Sequence, residues 1–182
     1  MNINKLVELI MSLLTFHTTA SKNSSKSQPS VSPQVDNSPK LREEDGYFIW
    51  NKGEVFKLSD HFSTKEMNCQ CKYESCKEQR ISKDLIQRIE NIRIQVAQPL
   101  IVTSAFRCQK HQEDIRNSGV STVVAKKLSQ HELGNAVDIL PKDKKDIRGA
   151  FLFVCEKYFT AIGLSNKFLH VDTRKDKIQW EY

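Results

Sequence analysis

Along this 182-residue chain the apolar positions change period several times, and each change marks an element. Ala136 to Leu140 alternates as a short strand stopped by Pro141, with Asp138 on the face of Ala136 and Leu140. Phe168 to Asp172 is a second strand and sets His170 and Asp172 on one face. Leu100–Thr103 is a β-branched run that reads as a buried strand and delivers Ser104–Arg107 to a strand end, and Ala161–Leu164 is another strand, after which Ser165–Lys167 turns the chain back. Helical spacing takes over at Leu85, Ile89, Ile92 and Val96, with Ser82 as N-cap and Gln98-Pro99 as the stop. It returns at Ile147, Phe151, Val154 and Tyr158, predicting a core helix from Asp146 to Tyr158. Ser63 and Glu66 fit a capping box, and Gln109–Asn117 is a polar helix followed by a Ser118-Gly119 turn; from Val120 to Leu128 there is no period. This order predicts an α+β domain with packed helices and a small, mainly antiparallel sheet.

The N-terminal part reads differently. Ser21 to about Asp45 is mostly Ser, Asn, Lys, Gln and Pro, too poor in large apolar residues to offset the entropy of ordering, so 21–45 is a linker. The folded domain, 46–182, is expected to begin near Gly46, where Tyr47, Phe48, Ile49 and Trp50 arrive together. Residues 1–20 resemble a secretory signal peptide in Lys5, the apolar stretch Leu9–Phe16 and the small-residue site Thr18-Thr19-Ala20, although Glu8 departs from that pattern; the other reading is a short amphipathic helix or a disordered start. The apolar stretch is shorter than the roughly 20 residues a bilayer span needs, and no other stretch qualifies.

The net charge of +6 suits an anionic partner such as an acidic wall polymer. The positive residues are scattered, with no RNA-binding or helix-turn-helix signature, so no nucleic-acid partner is expected.

Candidate chemistry gathers around Ser129–Asp138, where Gly134 permits a bend that brings His131 and Asp138 to one ion. With His170 they form a set of two imidazoles and a carboxylate, which suits tetrahedral zinc with the fourth position left to water. His17, His61 and His111 have no partner in sequence. Cys155 lies inside an apolar helix and reads as a buried free thiol. Cys69, Cys71, Cys76 and Cys108 make either two disulfides in an exported protein or a second, four-thiolate zinc site in a reduced one; their spacing departs from paired Cys-x-x-Cys, which favours disulfides.

Four segments resemble the zinc D-Ala-D-Ala carboxypeptidase family, in particular its compact wall-peptidase domains from bacteria and phages. They are Asp60-His61-Phe62-Ser63 with Glu66-Met67, Thr103–Arg107, Ser129-x-His131-x-x-Gly134-x-Ala136-x-Asp138, and His170-Val171-Asp172; the third is specific and the others support it by order and spacing. The resemblance spans about residues 58 to 174 and implies a hedgehog/DD-peptidase-like α+β fold. It implies zinc on His131, Asp138 and His170, substrate contacts from Arg107 and Ser129, and a monomer, exported, periplasmic or phage-borne. The implied reaction is hydrolysis of a peptide bond next to a D-amino acid in peptidoglycan stem peptides. Many family members carry an acidic general base three residues before the second histidine ligand, where this chain has Lys167. A base is still needed, and Asp172 is favoured over Glu132, which reads as a solvated residue. The alternative is a metal-binding, non-catalytic wall-binding module of the same fold.

Overall fold

The computed structural model describes residues 38–118, 128–143 and 147–182. The expected export signal, the linker as far as residue 37, Gly119, the aperiodic stretch from Val120 to Lys127 and Asp146 lie outside the described residues.

The first elements are β1 (Arg42–Glu44), β2 (Tyr47–Asn51), α1 (Thr64–Met67), β3 (Glu78–Ser82) and α2 (Lys83–Gln95). The chain continues through β4 (Leu100–Ser104), α3 (Gln109–Asn117) and β5 (Ala136–Pro141), then α4 (Ala150–Cys155), β6 (Ala161–Leu164), β7 (Leu169–Asp172) and β8 (Ile178–Glu181). The class is α+β, as the alternating periods imply. A three-stranded antiparallel sheet has the order β1-β2-β3, and a five-stranded sheet runs β4-β5-β7-β6-β8 with β6–β8 as its parallel pair.

β1 lies inside the stretch whose composition reads as linker. Asp45 and Gly46 both have positive φ, 48° and 82°, and form a two-residue hairpin turn of the kind whose twist matches paired strands, so the exposed Arg42–Glu44 is drawn into pairing with β2.

Local signals otherwise act as their chemistry requires. The Glu66 carboxylate accepts from the Ser63 backbone N–H at 2.9 Å and from its hydroxyl at 2.6 Å, closing the first turn of α1. Ser82 caps α2, whose Leu85, Ile89 and Ile92 are fully buried. Each such side chain contributes about 1.5–3 kcal/mol of transfer free energy, so this stripe fixes how α2 lies against the core.

Two elements differ from their sequence patterns. β4 is an edge strand rather than a buried one among the described residues: there it pairs only with β5, and Ile101 is 37% exposed. α4 spans only Ala150–Cys155, because Gly149 takes a non-helical conformation (φ −104°, ψ −110°) and Arg148 reaches away to Glu181 at 3.0 Å. The expected stripe still packs, with Phe151 buried and Ile147, Val154 and Tyr158 partly buried against the core.

Period-two alternation gives the five-stranded sheet two distinct faces. Val137, Ile139, Ile162, Leu169 and Val171 enter the hydrophobic core. The other face carries one row across all five strands, because Ser104 pairs with Asp138, Asp138 with His170, His170 with Gly163 and Gly163 with Trp180. That row sets the site.

Candidate metal centre

His131 comes from the turn before β5, and Gly134 makes that turn possible. Its φ is +74°, and a Cβ there would lie 2.7 Å from the Arg80 carbonyl oxygen on β3. The turn is pinned on both sides, since the Gly134 carbonyl accepts from Ser82 N–H at 2.8 Å and the His131 carbonyl from Arg107 N–H at 3.2 Å. Asp138 and His170 then meet it from facing positions on β5 and β7.

All three side chains are buried, and the hydrogen bonds behind the rings decide what faces inward. A carbonyl oxygen can only accept, so the 2.6 Å contact from His131 Nδ1 to Ala105 O places the proton on Nδ1 and leaves Nε2 with its lone pair. The Asp172 carboxylate likewise accepts from His170 Nε2 at 3.1 Å, which leaves Nδ1 as the open nitrogen. These two nitrogens and Asp138 Oδ1 form a triangle with sides of 2.9, 3.1 and 3.2 Å.

With both imidazoles neutral, two lone pairs and a carboxylate oxygen point at one another, an arrangement suited to a cation between them. Zinc bonds of about 2.0–2.2 Å in tetrahedral geometry separate ligand atoms by about 3.3 Å, so this triangle needs to open by only a few tenths of an ångström. The donor set fits zinc in kind as well as in spacing.

The electrostatics of Asp138 and His131 agree with a ligand role. Burial alone would raise the Asp138 carboxyl, but the two imidazoles beside it hold it far below the usual carboxylate range. Burial pushes His131 down, toward the neutral form a ligand must have. Burial also opposes charge on His170, yet hydrogen bonds to Asp138 and Asp172 hold its pKa above the ordinary value, so a proton on Nδ1 competes with a metal ion for the same place beside Asp138.

Around the triangle, the expected site residues take specific places. Arg107 Nη2 reaches Asp138 Oδ2 at 2.7 Å, while Nε bonds Ser104 at 2.8 Å and Nη1 bonds Gln112 at 3.2 Å. Asp138 is thereby turned so that one oxygen faces the histidines and the other the guanidinium. Ser129 accepts from His131 N–H at 3.3 Å and so supports the turn.

Asp172 is fully buried, and both its oxygens are engaged by His170 and by the backbone and guanidinium of Arg174 at 2.8–3.1 Å. Its carboxylate sits behind His170, on the side away from Asp138. Glu132 is not solvated: its side chain is 5% exposed, pairs with Arg116 at 2.7 Å and accepts from Ser129 N–H at 2.8 Å, closing the loop that carries His131. Lys167 is exposed in the turn between β6 and β7.

β8 contributes a feature that the sequence patterns did not signal. The Trp180 ring lies 5.2 Å from His170, and the Tyr182 ring 6.5 Å. Although Tyr182 is 45% exposed as a whole, desolvation of its phenol and the negative charge of Asp138 push that group up to about 12. The available signal was Gly163, a glycine inside an apolar strand, which marks a close approach.

The four clustered cysteines correct the disulfide expectation. Cys69, Cys71, Cys76 and Cys108 are free, and Cys71 Sγ stands 3.6 Å from Cys108 Sγ, against about 2.05 Å in a disulfide. Cys155 is the buried thiol its helix position implied, and burial raises its pKa.

Among the described residues no helix is long and apolar enough to cross a membrane. A family model described as Peptidase M15 matches residues 60–172, more than half of the chain and all three residues of the triangle. No curated protein and no solved structure matches the chain.

Proposed function

Since the chain belongs to the peptidase M15 family, whose members are zinc-dependent metallopeptidases, we propose that it hydrolyses a peptide bond next to a D-amino acid in peptidoglycan stem peptides. The observation that carries this reading is the triangle of His131 Nε2, Asp138 Oδ1 and His170 Nδ1, three groups that would hold zinc and would leave a position for water or a scissile carbonyl. Zinc held there would lower the pKa of water toward about 7 and polarise the carbonyl.

The protein's own groups position that chemistry. Ala105 and Asp172 fix the two imidazole tautomers, and Arg107 fixes the carboxylate. Arg107 uses three of its five donors within the protein, so the remaining two can meet a substrate carboxylate or a developing oxyanion. Trp180 and Tyr182 provide an apolar wall beside His170 for the peptide. The net positive charge favours an acidic wall polymer, reached by export or by phage delivery.

Asp172 is a positioning residue in this reading, because its carboxylate contacts the far nitrogen of His170. That leaves the position of the acidic base to the exposed Lys167, and this substitution favours a second reading, a wall-binding module that keeps the metal without turnover. Purified wall fragments separate the two: release of D-alanine or a cleaved stem peptide, abolished by chelator and by His131→Ala, supports the peptidase. Binding of the fragments with no product detectable by mass spectrometry overturns it.

A further inference from the structure

Outside the histidine centre, the sulfur atoms of Cys69, Cys71, Cys76 and Cys108 all lie within 4.8 Å of one another. We infer that these four cysteines form a second, structural zinc site that ties the loop between α1 and β3 to the start of α3.

Four convergent sulfurs can be a pair of disulfides or a metal cage, and spacing separates the two. Zinc–sulfur bonds of about 2.3 Å in a tetrahedron hold sulfurs about 3.8 Å apart, close to the 3.6 Å between Cys71 and Cys108. Four protein ligands leave no open position, which marks a structural site rather than a catalytic one.

The surroundings suit thiolates. Cys108 N–H donates to Cys69 Sγ at 3.3 Å, and His111 Nδ1 lies 3.2 Å from the same sulfur. Lys52 Nζ donates to Cys71 Sγ at 3.4 Å, and Gln79 Nε2 donates to Cys76 Sγ at 3.4 Å. Donors on every one of three sulfurs disperse the charge that four thiolates would concentrate around a divalent ion. Gln79 is itself fully buried, and its Oε1 accepts from Cys69 N–H at 2.8 Å, so one side chain sets the positions of two ligands.

The folding logic points the same way. The segment from Cys69 to Cys76 contains one backbone turn, Cys76 N–H to Tyr73 O at 3.1 Å, and has no regular secondary structure. Cys108 is the N-cap of α3 but offers no side-chain hydrogen bond to it, which leaves its sulfur to turn toward the other three. Arg107, which holds Asp138, immediately precedes Cys108. A metal here fixes the corner from which Arg107 reaches the histidine centre.

Metal analysis of the purified chain, with cobalt substitution, tests the site independently of hydrolysis. The wild type should carry about two equivalents of zinc, falling to about one in Cys71→Ser and, separately, to about one in His131→Ala. Cobalt-loaded wild type and His131→Ala should both show the thiolate-to-cobalt charge-transfer band, and Cys71→Ser should lose most of it. Because the wild-type spectrum needs no variant to fold, it keeps the test decisive if Cys71→Ser fails to express. Absence of the band, unchanged zinc in a folded Cys71→Ser, iron in place of zinc, or an intact mass showing two disulfides overturns the assignment.

Discussion

Asp138 on β5 and His170 on β7 stand directly opposite each other across an antiparallel pair, and the 2.9 Å between Oδ1 and Nδ1 is the shortest side of the ligand triangle. Sheet register therefore sets this contact, and the turn through Gly134 only has to add His131. Asp138→Asn keeps the shape and removes the charge that offsets the ion. Its zinc affinity should fall by more than the about 10- to 100-fold that loss of an outer partner costs. Competition against a chelator of known affinity measures this; wild-type affinity in the variant would remove Asp138 from the ligand set.

Asp172 separates positioning from base catalysis. Asp172→Ala deletes the acceptor for His170 Nε2–H and should lower zinc affinity about 10- to 100-fold, with partial rescue by Asp172→Asn, whose amide oxygen can still accept. If both variants bind zinc like the wild type while turnover drops by about a hundredfold or more, Asp172 is the base instead.

Gly163 reports on the aromatic wall. A Cβ there would lie 2.7 Å from ring carbons of both Trp180 and Tyr182, so Gly163→Ala should push the two rings off His170. Overpacking of this kind costs about 1–3 kcal/mol, readable as a lower midpoint in denaturant with a shifted tryptophan emission. Unchanged stability and emission would mean that the rings do not rest on this strand.

Much of this arrangement was legible because the site is built on short-range patterns. His170 and Asp172 share a face by strand alternation, and the bend at Gly134 needs a residue that tolerates positive φ, which only the local sequence has to supply. What escaped is what depends on partners distant in sequence. β8 reads as Ile-Gln-Trp-Glu, mostly exposed, and becomes a strand only by parallel pairing with β6. β1 is equally exposed, although Asp45-Gly46 was a hairpin signal in plain view. Glu132 reads as solvated because its partner, Arg116, is 16 residues away. Spacing grouped the four cysteines but misjudged their state: its departure from paired Cys-x-x-Cys favoured disulfides, whereas the thiols are free.

Acid sensitivity should arise at Glu90, whose partners are Ser59 and His61. Burial raises the Glu90 carboxyl, but His61 Nδ1 at 2.5 Å, Ser59 Oγ at 2.7 Å and His61 N–H at 3.2 Å outweigh it and hold the pKa below the ordinary value. A depressed carboxylate stabilises the fold fully above its unfolded pKa of about 4.3, and that contribution disappears as pH falls through the lower folded value. Glu90→Gln should cost about 1–3 kcal/mol at pH 7, with the gap to wild type closing below pH ~4.3. Denaturant titrations across that range check it; a gap independent of pH would mean that Glu90 acts by packing rather than charge.

The most direct test of the histidine centre is anomalous diffraction at the zinc edge from crystals of the unaltered chain. The expected result is a peak about 2.0–2.2 Å from His131 Nε2, Asp138 Oδ1 and His170 Nδ1, with Asp172 on the far side of the His170 ring. Density at that point without an anomalous signal, or a zinc bound through His131 Nδ1 or His170 Nε2, would contradict it.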